Sequence, residues 1–99
     1  MAHRIAARAE ADLDDIWLYV AKESGSMDVA DRLIDSITER FLFLAKFPHA
    51  GRARDLEFGH GLRGFPIGEF VIVYSAEGMD VCFLRVVHGK RDFETLFDL

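Results

Sequence analysis

The hydrophobic period of this chain changes once, near its middle, and that change limits the folds open to it. From Ala9 to Ala45 the apolar residues recur at helical spacing, interrupted only by the segment Ser24-Gly25-Ser26. From Leu62 onward, three short apolar runs follow, and turn-forming residues separate them. Two helices followed by three strands predict an α+β domain in which a helical hairpin packs on an antiparallel sheet.

The two helices have recognisable boundaries. The first is predicted to begin at Ala9, and its acidic residues are expected on the solvent side: Glu10, Asp12, Asp14 and Asp15. Ser26 is predicted to cap the second helix, and Pro48 marks the end of that helix. The Gly-containing turn between them predicts an antiparallel hairpin. Trp17 and Phe41 lie on the apolar stripes, so both are expected in the core.

The strands are shorter and follow a period of two. Residues 3–8 are predicted to form a first strand, and the last three apolar runs are predicted to form an antiparallel meander because their connections are short. In the last strand Val81, Phe83, Arg85 and Val87 are expected to share one face. Residues 49–57 show no period and are predicted to be a polar connection. Residues 93–97 are expected to form a helical turn that either docks through its aromatic side chains or receives a partner.

Length and composition restrict the class of protein. The 99 residues fit one domain spanning residues 1–99, and an apolar fraction of 51% is ample for a core. No run approaches the roughly 18 apolar residues of a membrane span, and no cleavable signal is visible, so we expect a cytoplasmic protein without membrane contact. The lone Cys82 is expected to be buried in its strand. A net charge of −5 argues against an autonomous nucleic-acid binder, which normally carries a basic surface.

The sequence contains no recognisable cofactor or metal motif. The four histidines are scattered, and none has the spacing of a zinc site. The glycines of residues 59–64 do not match a phosphate-binding loop. No serine lies in the context of a catalytic nucleophile. We therefore expect neither a metal ion nor a cofactor.

A set of cationic residues near one edge of the predicted sheet is the candidate site: Arg52, Arg54, Arg63, Arg85, His88, Lys90 and Arg91. Strand pairing allows Arg63 and Arg85 to converge on one face. Such an edge suits an acidic protein segment, a phosphate or a proton transfer. For any single arginine, a structural ion pair with Asp55, Glu69 or Asp92 is an equally good interpretation.

Catalysis is the less favoured use of this edge. Metal-free RNA cleavage needs a base for the 2′-hydroxyl, a cation for the phosphate and an acid for the leaving oxygen. His88 would be the acid, and Arg63 and Arg85 would bind the phosphate. No base is evident, so a binding protein is expected ahead of an enzyme.

Five segments together resemble the RelE/ParE toxin superfamily. They are residues 9–19 (AEADLDDIWLY), the Pro48-x-x-Gly51-Arg52 junction, Gly61-Leu62-Arg63, the run 71–74 (VIVY) and residues 85–92 (RVVHGKRD). The last segment closely resembles the ParE branch, and all five occur in the family's order. The resemblance implies a fold of one strand, a helical hairpin and three further strands.

The resemblance also implies a function. It identifies the chain as similar to the toxin of a type II toxin–antitoxin pair, bound in a hetero-oligomer by a ParD-like antitoxin whose disordered C-terminal segment folds around it. ParE-like toxins are associated with blocking DNA gyrase, whereas RelE-like toxins cut mRNA at the ribosome. Because this chain lacks the lysine-rich segment and the late tyrosine of the RelE pattern, a non-enzymatic inhibitor of gyrase is expected. The alternative is a ribosome-dependent mRNA endoribonuclease.

The resemblance directs attention to particular residues. Arg63, Arg85, His88 and Arg91 are expected to form the functional edge, with Arg52 and Arg54 auxiliary. Operator DNA is expected to contact this chain only indirectly, through the antitoxin. A third hypothesis is a degenerate toxin that serves only as a corepressor or structural partner.

Overall fold

Two antiparallel helices pack on one face of a five-stranded sheet. The computed structural model describes residues 3–53, 61–78 and 80–89. Its elements in chain order are β1 (His3–Ile5), α1 (Ala7–Ser24), α2 (Met27–Lys46), β2 (Arg52–Ala53), β3 (Leu62–Ile67), β4 (Phe70–Glu77) and β5 (Asp80–His88). The predicted α+β class and the helical hairpin are confirmed.

The start of the chain differs from the prediction. The strand ends at Ile5, and α1 begins at Ala7 rather than Ala9. The reason is local, because the carbonyl of Ala6 already accepts the first helical hydrogen bond from the Glu10 amide at 3.1 Å. Residues 6–8 therefore do not extend the strand.

The turn between the helices has the expected chemistry. Gly25 takes a left-handed conformation with φ of 69°, which ends α1. The Ser26 hydroxyl accepts a hydrogen bond from the Val29 amide at 3.2 Å, which confirms Ser26 as the cap of α2.

The sheet has the strand order β1-β5-β4-β3-β2. Strands β3, β4 and β5 form the predicted antiparallel meander. Two pairings were not predicted: β1 lies parallel to β5, and β2 adds an antiparallel edge beside β3. The polar connection therefore contains a strand, which at two residues is too short to show a period in the sequence.

An irregularity in β5 inverts its alternation. Tyr74 pairs with Phe83, but its neighbour Val73 pairs with Arg85, so Leu84 is an extra residue in β5. Beyond it, Val86 joins the core beneath the helices, while Val87 packs with Val73 on the opposite face. The prediction that residues 81, 83, 85 and 87 share one face was wrong for this reason.

The main core lies between the helices and the sheet. Phe41 of α2 stacks on Phe83 of β5 with ring centroids 4.3 Å apart, so the predicted core position of Phe41 is confirmed. Trp17 is only partly buried, because its indole nitrogen donates to the Asp31 carboxylate at 2.7 Å, near the solvent-exposed side of the hairpin. Cys82 is likewise only partly buried, contrary to expectation. Neither α1 nor α2 combines the length and apolarity needed to cross a membrane.

Candidate functional site

Arg85 lies in β5 and is bound by a carboxylate from α1. Its Nε donates to Asp12 Oδ2 at 2.7 Å and its Nη2 donates to Asp12 Oδ1 at 3.1 Å. The same carboxylate accepts the Val86 amide at 2.9 Å. Asp12 thus fixes the guanidinium in a bidentate pair and also satisfies a backbone donor of the bulged strand.

The burial of Asp12 corrects the prediction that it faces solvent. Asp12 is only 8% exposed, and among the described residues it is the one charged residue that is buried. A signal was present in the sequence, because Asp12 lies three residues after Ala9 and four before Ile16, inside the apolar stripe of α1. A carboxylate at such a position requires a partner, which Arg85 and Val86 supply.

Arg63 belongs to a second network, at the start of β3 beside the α2–β2 connection. Its Nη1 donates to the Gly51 carbonyl at 2.7 Å. The Gly51 amide donates to the Tyr74 hydroxyl at 2.8 Å, and that hydroxyl donates to the Pro48 carbonyl at 2.8 Å. Tyr74 is fully buried, so these bonds tie the Pro48–Gly51 connection to the centre of the sheet.

This network explains why glycine occupies position 51. A Cβ built there would lie 2.3 Å from the Tyr74 hydroxyl, which no ordinary packing permits. Burial raises the pKa of Tyr74 above its ordinary value, while the Gly51 hydrogen bond and the nearby Arg63 charge act in the opposite direction. The motif Pro48-x-x-Gly51 therefore has a structural cause that residue spacing alone does not reveal.

His88 ends β5 beside the β3–β4 turn. Its ring meets Phe70 edge-on with centroids 5.6 Å apart, and its Nε2 lies 3.7 Å from the exposed Glu69 carboxylate. The next amide, that of Gly89, donates to the Glu69 carbonyl at 2.8 Å. The end of β5 therefore lies against the β3–β4 turn, with the His88 ring beside Phe70 and Glu69.

The register shows which predicted residues lie near one another. Arg52 pairs with Gly64, Gly64 with Val73, and Val73 with Arg85, so both arginines stand in one row across the sheet. Arg63 stands in the adjacent row. His88 pairs with Phe70, three residues along β4 from the row of Arg85, or about 10 Å.

The predicted set is therefore only partly assembled in the described residues. The rows gather Arg52, Arg63 and Arg85 near one region of the sheet, and His88 lies towards the other end of β4. Three of the candidates, Arg54, Lys90 and Arg91, lie outside the described residues, as do Asp55, Asp92 and the tail 93–97. In the part of the chain that the structure describes, no group of three His, Cys, Asp or Glu side chains is placed to hold a metal ion.

A second surface, which the sequence did not single out, lies at the C-terminal end of α2. We call it the aromatic groove; it has a volume of about 580 Å³ and is lined by Phe43, Lys46, Phe47, Pro48, His49 and Ala50. Phe47 is 52% exposed, and Phe43 packs at its other side on Phe65 of β3. The guanidinium of Arg40 and the ammonium of Lys46 lie over these phenylalanine rings at about 6 Å. The groove is therefore apolar with a cationic rim.

Known proteins resemble this chain in sequence and in fold. Residues 4–93 match the family model described as the ParE toxin of the type II toxin–antitoxin system parDE. The chain is 34% identical to Toxin ParE1 of Caulobacter vibrioides over 92 residues, covering 91% of each chain. It is 33% identical to Toxin ParE3 of the same organism over 81 residues, covering 82% of this chain and 79% of that one.

A solved structure has a similar fold. It is described as the chromosomal ParDE TA system from P. aeruginosa, and a chain in it matches with a TM-score of 0.76 at 23% identity. The match covers 89% of this chain and 95% of that one. The predicted superfamily and its ParE branch are confirmed. The chain belongs to the ParE toxin family, and it is the toxin of a type II toxin–antitoxin system.

Proposed function

We propose that this toxin acts in the cytoplasm by binding DNA gyrase, without breaking a covalent bond, and that a ParD-like antitoxin neutralises it. The observation that carries the proposal is the row formed by Arg52 and Arg85 on a rigid sheet. Arg85 is held by Asp12, whereas the residue Arg52 is exposed on edge strand β2. Asp12 holds Arg85 in place and balances its charge, so the exposed charge of Arg52 is the part of this row that suits recognition of an acidic protein surface.

The helices supply the surface for the antitoxin. Large apolar side chains remain exposed along the hairpin and the aromatic groove: Leu18, Tyr19, Met27, Val29, Leu42, Phe43 and Phe47. A segment that orders on binding buries such residues well, because it can wrap a large surface. The net charge of −5 disfavours direct contact with operator DNA, which we assign to the antitoxin.

The endoribonuclease alternative is less well supported by the geometry. It needs Arg63, Arg85 and His88 to act on one phosphate. Arg63 stands in the row of Tyr74 and His88 in the row of Phe70, four residues apart on β4, or about 13 Å along the strand. Asp12 also already balances the charge of Arg85, which weakens its attraction for a phosphate.

Controlled expression separates these possibilities. The toxin is induced with and without the neighbouring antitoxin, and growth is followed together with the 5′ ends of cellular mRNA. We expect growth arrest only without the antitoxin, and no new mRNA ends before growth stops. New ends that disappear in His88→Ala would establish the endoribonuclease instead. Normal growth without any antitoxin would favour the hypothesis of a degenerate toxin that serves only as a corepressor or structural partner.

The gyrase target is tested on its own with purified components. Free toxin is titrated into a supercoiling reaction, and inhibition that grows with toxin concentration is expected. Arg52→Glu should weaken the inhibition because it reverses a charge in the proposed contact row. Arg32→Glu, on the exposed side of α2, is the matched control and should inhibit like the original chain. Equal inhibition by both variants would remove Arg52 from the proposed contact.

A further inference from the structure

Gly51 is buried immediately before the exposed strand β2, and side chains bind both of its backbone groups. Its amide donates to the Tyr74 hydroxyl at 2.8 Å, and its carbonyl accepts from Arg63 Nη1 at 2.7 Å. Buried backbone groups need partners of this kind. The peptide that leads into Arg52 is therefore held on both sides by side chains of β3 and β4.

Strand β2 needs this support because it is short. It consists of Arg52 and Ala53 alone, and it pairs with Gly64 and Arg63 of β3. Both of its residues are exposed. A segment with so few backbone hydrogen bonds and so little burial opens at low cost in free energy. The position of the Arg52 side chain therefore depends on how firmly the peptide before it is held.

The support comes from the most rigid part of the sheet. Tyr74 is fully buried in β4, which pairs with β3 on one side and with β5 on the other. Its hydroxyl also donates to the Pro48 carbonyl at 2.8 Å, so the whole Pro48–Gly51 connection is fixed to this strand. We call the side chains of Arg63 and Tyr74, together with the Gly51 backbone, the β2 clamp.

Arg63 and Arg52 thus have different environments, although the sequence places both among the candidate contact residues. Arg63 is partly buried and donates to a carbonyl of its own chain, whereas Arg52 is exposed at the sheet edge. We propose that Arg63 is a positioning residue: it acts on the target through Arg52, by holding β2 so that this arginine is presented in one place. The inference rests on the proposed function, in which Arg52 contacts the target.

The β2 clamp should matter because a contact residue that is already in place need not be ordered when the target binds. Tyr74 gives the inference a distinctive consequence. It is fully buried and therefore cannot touch a target, yet loss of its hydroxyl should weaken the toxin as loss of the Arg63 guanidinium does. Both effects should disappear when Arg52 has already been removed.

Growth arrest in cells without antitoxin tests this dependence. Arg63→Met and Tyr74→Phe are each made in the original chain and in Arg52→Ala, and the intracellular amount of toxin that halves the growth rate is measured. In the original chain each change should raise that amount about fivefold, since a freed side chain must be ordered on binding. In Arg52→Ala, neither should change it by more than about twofold. Arg32→Met, an exposed arginine on α2, is the matched control and should have no effect in either background.

A measurement on the free toxin checks the clamp itself. The heteronuclear NOE of the Arg52 and Ala53 amides should fall in Arg63→Met and in Tyr74→Phe, and should stay unchanged at Ile37 and Ile72 in the core. Amide dispersion in the same spectra reports whether each variant is folded. Unchanged order in β2 would overturn the inference, because the clamp would then not hold Arg52.

The remaining outcomes separate this inference from the proposed function. Equal weakening by Arg63→Met with and without Arg52 would make Arg63 a contact residue and would overturn the positioning role. Arg52→Ala that arrests growth like the original chain would remove both the proposed contact and the inference. Supercoiling that the original toxin leaves unaffected would remove gyrase as the target, but the growth measurements would still decide how Arg63 acts.

Discussion

The carboxylate of Asp12 lies 2.7 Å from Arg85 Nε, and this pair joins the first helix to the last strand. The contact spans 73 positions in the chain. It lies beside the irregularity in β5, where the Val86 amide also needs an acceptor and finds it in Asp12. One side chain of α1 therefore both positions a candidate contact residue and satisfies the distorted strand.

Removal of this carboxylate should destabilise the fold. Asp12→Ala leaves a partly buried guanidinium and a buried amide without that acceptor, and we expect the free energy of unfolding to fall by about 3 kcal/mol. Asp14→Ala, an exposed acid on the same helix, should change it by no more than about 0.5 kcal/mol. Urea unfolding measures both. Equal stability of the two variants would show that the pair contributes nothing to the fold.

Position 51 should accept no side chain. Gly51→Ala places a methyl group against the Tyr74 hydroxyl, and overpacking of this kind lowers the free energy of unfolding by about 2–3 kcal/mol. Ala50→Gly, at the exposed neighbouring position, is the control for a change of backbone freedom in the same connection. Thermal unfolding compares the two variants. An unchanged midpoint in Gly51→Ala would contradict the close approach.

The raised pKa of Tyr74 predicts a loss of stability at alkaline pH. Because the folded state holds this proton more tightly than the unfolded state, its contribution is complete below the ordinary phenol pKa of about 10 and is lost as pH rises from there through the folded pKa. Urea unfolding on either side of pH ~10 should show the decline. Tyr74→Phe should flatten it, whereas Tyr19→Phe, which alters an exposed tyrosine, should leave it unchanged. A decline of the same size in Tyr74→Phe would assign the titration to other groups.

Much of the fold was predictable because its signals are local. The apolar stripe around Phe41, the cap at Ser26 and the short turns of the meander each act over a few residues. The parallel pairing of His3 with Val81 was not predictable in this way, since it depends on the path of the intervening helices. Strand β2 is recognisable only beside its partner Gly64.

The candidate site was predicted less completely, for a physical reason. Charged residues on a helix usually face water, so Asp12 is predicted to face water together with Asp14. Its spacing nevertheless puts Asp12 in the apolar stripe, where it is buried. The regular alternation of β5 in the sequence conceals the extra residue Leu84. Pairing of Arg85 with α1 follows only from the assembled fold, and so does the approach of Gly51 to Tyr74.

Arg52, on edge strand β2, should matter for toxicity without affecting the fold. Arg52→Glu reverses an exposed charge on β2, so we expect weaker growth arrest with a free energy of unfolding within about 0.5 kcal/mol of the original. Growth after induction without antitoxin measures the toxicity, and urea unfolding measures the free energy of unfolding. Arg32→Glu should retain full toxicity. Loss of toxicity together with loss of stability would indicate a structural role for Arg52 instead.

The most direct test of the proposed action is supercoiling by purified gyrase, with free toxin titrated in and antitoxin then added to the inhibited reaction. The proposal predicts that supercoiling falls as toxin is added and recovers when the antitoxin reaches a stoichiometric amount. Undiminished supercoiling at every concentration, from a toxin preparation whose gene arrests growth, would contradict it.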